Sequence, residues 1–227
     1  MSRFLDLIKA YSDHETIDDQ VEMTDYSFYF QHIPKVGGSS IYHQLPSEYN
    51  SRYYRTKHFD AALKPLYNDR QYTRIVKDHI GLDDAVKVGL LSREELESKE
   101  IIVLWRDPVD RFVSTCNHFD LDPQAMMDRI KYPEKDGEYY RVLGRYAFYS
   151  TASDLVKVDG KRVKTTDIRL DQYDKVIEVF AKHDVKIKNL GPSKEPKKYS
   201  VNDLTDYHRK FIRINYAEDV EFFNSLK

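Results

Sequence analysis

The amino-acid sequence predicts an α/β fold, a three-layer arrangement whose central, mostly parallel sheet is flanked by helices. Two observations carry that expectation. Segments that read as strands alternate along the chain with segments of helical pattern, and one of them, "IIVLW" at 101–105, is a fully apolar run suited to the centre of a buried sheet. Two strands also lead directly into polar loops and then helices, at Lys35–Ser40 and at Arg106–Ser114. In an open parallel sheet, ligands bind at such carboxyl ends.

Each element has its own signal. Residues 3–11 read as a short amphipathic helix. "YSFYFQHI" (26–33) is an aromatic-rich strand, Pro34 to Ser40 are a loop, and a helix starts around Ser39 or Ser40. "YTRIVKDH" (72–79) is a second strand. "SREELESKE" (92–100) is a helix with Ser92 as N-cap and Glu95 at the capping-box position. After "IIVLW", Asp107 and Pro108 suit the cap and first position of a helix carrying "VDRFVSTCNHF". "VKVDGKRVK" has Asp-Gly between alternating residues, a hairpin signal. "TTDIRL" (165–170) is a strand, 172–183 a helix, "VKIKNL" a short strand, and the chain closes in one or two helices.

With 227 residues, 33% charged and 41% apolar, the chain suits one domain spanning 1–227. A net charge of -2 argues against a general nucleic-acid binder. The single cysteine, Cys116, excludes an intramolecular disulfide and a cysteine-rich zinc site, and it is expected to pack as a small hydrophobe on a helix. No carboxylate–histidine cluster has metal-ligand spacing, so no metal is expected. Neither a membrane-length apolar run nor a secretion signal is evident, so the expected location is cytoplasmic unless an anchor has been removed.

The two loops concentrate the chemistry. Gly37 and Gly38 let backbone N–H groups approach an anion, Ser39 and Ser40 add hydroxyl donors, and Lys35 can reach over the bound group. An ordinary strand-to-helix turn that happens to contain Gly-Gly is an equal alternative on the loop alone. Arg106 can grip a phosphate as a fork, and Ser114 can donate to the same oxygens. Asp107, Arg111, Ser114 and His118 share a helical spacing and form one polar stripe. The competing reading makes Arg106 and Asp107 a structural ion pair. Two anion sites at neighbouring strand ends suit a ligand with two separated phosphates.

At these residues a resemblance enters. "HIPKVGGSS" resembles the 5′-phosphosulfate loop of PAPS-dependent sulfotransferases, the carbohydrate and heparan-sulfate type above all, whose pattern runs close to H-I-P-K-T-G-G-T-S. "VLWRDPVDRFVS" resembles that family's 3′-phosphate motif, close to L-R-D-P-V-E-R-F-x-S, and "DYHRKFIRINYAEDVEFFNSL" resembles its closing helix. The two clear motifs cover about a tenth of the chain, in the family's order. The resemblance implies a P-loop-like three-layer fold and the nucleotide PAPS as sulfuryl donor, with an acceptor hydroxyl, expected on a carbohydrate. It also implies site residues. Lys35 would meet the bridging oxygen as its charge grows. Val36, Gly37, Gly38, Ser39 and Ser40 would cradle the 5′-phosphate, and Arg106 and Ser114 would hold the 3′-phosphate.

His79, in "IVKDHIGL", is the expected base for the acceptor, since imidazole titrates near neutrality. Asp78 is its neighbour and competitor, His118 a second candidate contact, and His32 is expected to orient the loop. "KIKNLGPSKEPKKYS" lies in a stretch with six lysines against two acids over 182–198. The family reading there is a loop closing over the nucleotide, with Ser193, Lys194 and Lys198 as contacts; the alternative is a solvated charged loop. Tyrosines at 49–54 and 132–149 are expected mostly to pack. Val36 stands where many members have threonine, and Trp105 where leucine is usual. The alternatives to a sulfotransferase are a catalytically silent nucleotide-binding module and a P-loop-type kinase. The kinase would need its lysine after the glycines and an acidic metal site.

Overall fold

The computed structural model describes residues 26–46, 49, 79–87, 91–133, 145–188 and 197–226. Strand β1 (Phe28–Gln31) is buried along its whole length and runs into the Lys35 loop and a short helix α1 (Gly38–Tyr42). Helices α2 (Leu82–Lys87) and α3 (Arg93–Ser98) precede β2 (Glu100–Trp105). The expected capping box closes α3 in both directions, Glu95 N–H to Ser92 Oγ and Ser92 N–H to the Glu95 carboxylate. The helix stops at Ser98, earlier than its sequence pattern suggests, because Glu100 already pairs in the sheet.

After β2, Asp107 accepts from the N–H groups of Val109 and Asp110, and Pro108 opens α4 (Pro108–Phe119). Helices α5 (Pro123–Lys131) and α6 (Arg145–Tyr149) follow. The Asp-Gly pair turns a hairpin of β3 (Lys157–Val158) and β4 (Lys161–Arg162), with Asp159 at φ 50° and Gly160 at φ 73°, the left-handed pair that a tight two-residue turn requires. Strand β5 (Thr166–Arg169) leads to α7 (Tyr173–Ala181), and α8 (Asp206–Asn215) and α9 (Ala217–Ser225) close the chain.

Among the described residues the sheet of β1, β2 and β5 has three strands, all parallel, with β2 in the middle. The "IIVLW" run thus takes the central place its composition predicts, and Ile101 to Trp105 are all buried. The protein is mixed α/β, a small parallel sheet flanked by helices. One apolar cluster gathers the strand side chains with Val176, Val179 and Phe180 of α7. A second joins α4, α5, α6 and α8 through Phe112, Cys116, Met126, Met127, Phe148, Phe211 and Ile212. Cys116 packs there as a hydrophobe, and burial pushes its thiol up to about 12.

One expectation differs. "VKIKNL" forms no strand over its described part, 185–188. Val185 and Ile187 are buried and their neighbours exposed, so the strand-like alternation is real. The Lys188 N–H and carbonyl, however, bond to the Gln44 side chain and not to a neighbouring strand. Of the segment 72–79, only His79 lies within the described residues, and it sits in a turn. The helix expected at 3–11 lies outside them. Trp105, unusual for its motif, is buried and donates from Nε1 to Asp167 at 2.6 Å, while Tyr49 stacks on Phe28 as core.

Candidate functional site

Because β1 and β2 are adjacent and parallel, their loops emerge at the same edge of the sheet. The sequence motifs meet there directly. Arg106 Nη1 donates to the Lys35 carbonyl at 3.2 Å, and Arg111 Nε donates to the Pro34 carbonyl at 3.1 Å. Lys35 itself sits at φ 64°, a left-handed conformation that a non-glycine residue seldom adopts.

The glycines have packing reasons as well as permissive ones. Gly37 takes φ 86° as N-cap of α1, and a Cβ there would come within 2.6 Å of Leu170. A Cβ on Gly38 would meet the His32 ring at 2.4 Å. His32 is buried, stacked with Phe30 and Tyr42, so it shapes the loop as expected and needs glycine opposite it. The Val36 side chain is buried, which leaves only its backbone to face a ligand. The hydroxyls of Ser39, Ser40 and Ser114 make no hydrogen bond to any described residue.

The polar stripe on α4 does not act as one surface. Asp107 is the helix cap, not an ion-pair partner for Arg106. Arg111 turns inward: it is 4% exposed, donates to the carbonyls of Pro34, Ala147 and Ser150, and pairs with buried Asp219 at 3.6 Å. Asp219 in turn accepts from the N–H groups of Ala152 and Ser153. Arg111 therefore ties the Lys35 loop to α6 and α9. The sequence reading missed this role, although the apolar residues Pro108, Phe112, Val113 and Cys116 mark that face of α4 as buried. Arg106 is half-buried. Burial pulls its guanidinium down from the ordinary value against the charges of Asp110 and Asp107, and its remaining N–H donors have no hydrogen-bond partner among the described residues.

His79 belongs to the same edge. Its Nδ1 lies 3.0 Å from the His32 carbonyl, and its ring meets those of His32 and Phe148. A carbonyl only accepts, so Nδ1 carries the proton and Nε2 keeps a lone pair. Burial, with the charges of His118, Lys35 and Arg111, outweighs that carbonyl and lowers the imidazole to about 4, far below the near-neutral titration expected from its residue type. His32 is lowered well below its ordinary value by burial, then by His79, His43 and Lys35. His118 stacks on Phe148 and is lowered by burial and by Lys35, but it keeps an exposed face and is the most solvent-screened of the three. Lys35 thus presses on all three rings.

Asp78, Ser193 and Lys194 lie outside the described residues. The chain is fixed on both sides of 189–196: Lys188 by Gln44, just past α1, and Tyr199 by two hydrogen bonds to Asn117 of α4. Lys198 is exposed and pairs with Asp120 at 2.8 Å, beside that anchor. Those flanks lead from the helix after the first loop to the helix after the second. Among the described residues no group of histidines, cysteines and carboxylates is arranged to hold a metal, and no helix is long and apolar enough to cross a membrane.

No protein-family model matches the chain, and neither a curated protein nor a solved structure matches it.

Proposed function

We propose that the protein is a sulfotransferase that moves a sulfuryl group from PAPS to an acceptor hydroxyl, expected on a carbohydrate, on a P-loop-like scaffold. The observation that carries this reading is the meeting of the two motif loops at one sheet edge, with Arg106 bonded to the Lys35 carbonyl at 3.2 Å and His79 bonded to that of His32 at 3.0 Å. The donor set fits a nucleotide with two phosphates. The serine hydroxyls and most of the Arg106 fork are uncommitted among the described residues, and Lys35 adds positive charge that the neighbouring histidines feel.

PAPS would supply an already activated sulfuryl group. The protein's part is position and charge. Gly37, Gly38, Ser39, Ser40 and the Val36 backbone would hold the 5′-phosphate, and Arg106 and Ser114 the 3′-phosphate. Lys35 would stabilise the oxygen that gains charge as the S–O bond breaks. His79, neutral at pH 7 with Nε2 unprotonated, is in the state a base needs to take the acceptor proton. Ser193, Lys194 and Lys198 remain proposed nucleotide contacts.

A catalytically silent nucleotide-binding module is the second reading. It is favoured by the N–H that Arg106 already spends inside the loop and by the packing reasons for both glycines. Calorimetry separates the possibilities. 3′-Phosphoadenosine 5′-phosphate should bind much more tightly than AMP or ATP, and equal affinity for AMP removes the two-site reading. Transfer of labelled sulfate from PAPS to one of a panel of sugar acceptors then distinguishes the enzyme from the silent module.

A further inference from the structure

The opposite, amino-terminal edge of the sheet holds a second arrangement of reactive groups, and nothing in the sulfotransferase reading uses it. Ser27 immediately precedes β1, Glu100 opens β2, and the two are joined in the ladder by the Glu100 N–H bonded to the Ser27 carbonyl at 3.0 Å. His183 follows α7. Its ring lies between them, with Nδ1 at 2.7 Å from Ser27 Oγ and Nε2 at 2.8 Å from Glu100 Oε2. The ring also packs against Phe28, centroids 4.8 Å apart, and Thr166 Oγ1 donates to the second Glu100 oxygen at 2.6 Å.

The chemistry of the chain of contacts has a direction. Burial pushes the Glu100 carboxyl up, but the hydrogen bonds from Thr166 and His183 and the charges of His183 and Lys182 outweigh it and leave it below the usual range. Glu100 is therefore an acceptor at neutral pH, so Nε2 must carry a proton. In the neutral ring Nδ1 then has only its lone pair, and the Ser27 hydroxyl donates to it. Hydroxyl, imidazole and carboxylate stand in the relation of nucleophile, base and orienting group, with the two ring nitrogens exchanged relative to serine proteases. Recognition of such a set rests on geometry and roles, not on chain order.

We propose that Ser27, His183 and Glu100 form a nucleophilic relay that accepts an acyl group from small carboxylic esters and passes it to water. Ser27 Oγ bonds to the ester carbonyl carbon while its proton moves to His183 Nδ1. The carbon–oxygen bond to the leaving group breaks, and the departing alcohol takes that proton. Water then attacks the acyl-serine and gives a proton to Nδ1, the acyl–Oγ bond breaks, and the proton returns to Ser27. Glu100 holds the ring's tautomer and stabilises the imidazolium at both stages. Ser27 is exposed, so the substrate approaches from solvent, which limits the class to small esters with good leaving groups.

The probe is an alkyl fluorophosphonate on the full chain, with the modified residue located by peptide mass spectrometry and p-nitrophenyl acetate hydrolysis followed in parallel. Ser27 should be labelled, and His183→Phe, which retains a ring beside Phe28, should slow that labelling by at least about a hundredfold, the lower end expected for removing a general base. Glu100→Gln, of nearly equal shape, should slow it as well, and it decides the matter if circular dichroism shows that His183→Phe does not fold. Ser27→Ala should lower ester hydrolysis to the background given by surface lysines and tyrosines. An unlabelled Ser27, or one labelled equally fast in parent and variants, overturns the relay and assigns these hydrogen bonds to anchoring the end of α7 on the sheet.

Discussion

The two edges of one small sheet treat charge differently. At the carboxyl edge, Lys35, Arg106 and three histidines gather where the strands end; of the carboxylates nearby, Asp107 caps α4, Asp219 is enclosed by Arg111 and two backbone N–H groups, and Asp110 faces Arg106. Burial above all, with the charge of Lys35 beside it, holds the three imidazoles below their ordinary value. At the amino edge, Lys99, Glu100 and His183 are paired. Lys99 is 3.7 Å from Glu95, and Glu100 accepts from both His183 and Thr166. A histidine facing a carbonyl beside cations is held neutral and awaits an anion. One facing a carboxylate has its ring fixed by a charge already present. The first arrangement is where the proposed nucleotide would bind, and the second is where the proposed acyl transfer would take place.

The largest effect expected at the carboxyl edge is structural. Arg111→Met keeps much of the volume but leaves Asp219 buried without its cation and three carbonyls without their donor. Stability should fall by on the order of 3 kcal/mol, as when one partner of a buried ion pair is removed. Urea unfolding followed by tryptophan fluorescence measures it. A midpoint unchanged from the parent would mean that the two α4-side arginines do not divide into one structural and one ligand-facing group.

Lys35→Ala tests the functional half of that division. Turnover at saturating PAPS should fall about 100-fold, in the range seen when a donor to a developing charge is lost, with a smaller change in nucleotide affinity. Loss of affinity alone, with turnover intact, would assign Lys35 to ground-state binding and make the positive edge a docking feature only.

How much of this was legible in the sequence follows from the range of the forces involved. Local signals read well: Asp107-Pro108, the Ser92–Glu95 box and the Asp159-Gly160 turn each depend on residues a few positions apart, and each forms as its pattern predicts. The apolar run at 101–105 correctly located the sheet centre, because composition alone reports burial on both faces. Failures came where a distant partner decides. "VKIKNL" has the alternation of a strand, but Gln44 takes its terminal backbone groups. Arg111 looked like part of a polar stripe until the carbonyls of Pro34, Ala147 and Ser150 surrounded it. The position of His79 could be guessed from its motif, but its low titration depends on Phe148, His118 and Lys35, far apart in sequence.

Arg106→Ala should have the next effect. Removing a charge-assisted fork should weaken 3′-phosphoadenosine 5′-phosphate by about 2 kcal/mol, roughly thirtyfold, and AMP much less. Calorimetry with the two nucleotides measures the contrast. Equal losses for both would show that Arg106 acts by holding the Lys35 carbonyl, through the bond seen at 3.2 Å, and not by gripping a second phosphate.

The smallest effect is the most specific to the burial and the positive neighbours of His79. His79 titrates at about 4 because burial and positive neighbours disfavour its protonated form. A base must be neutral, so turnover should fall as pH drops through about 4 and stay level between pH 6 and 8, where a histidine at its ordinary value of 6.5 would give a slope. Stability has the same sign. The folded state binds the proton less readily than the unfolded chain, so this contribution is complete above 6.5 and is lost as pH falls from there toward 4. Adding 3′-phosphoadenosine 5′-phosphate should then raise the His79 midpoint, by one unit or less on the order expected for a partly screened neighbouring charge, because a bound anion offsets Lys35. Two-dimensional NMR of the imidazole Cε1–H group reads the midpoint directly, with and without nucleotide. The chemical shifts of His183, at the far edge, should not respond to the nucleotide at all. A His79 midpoint that stays fixed while the nucleotide binds would place the anion away from Lys35, and the two edges would then differ in their burial and not in what they are built to receive.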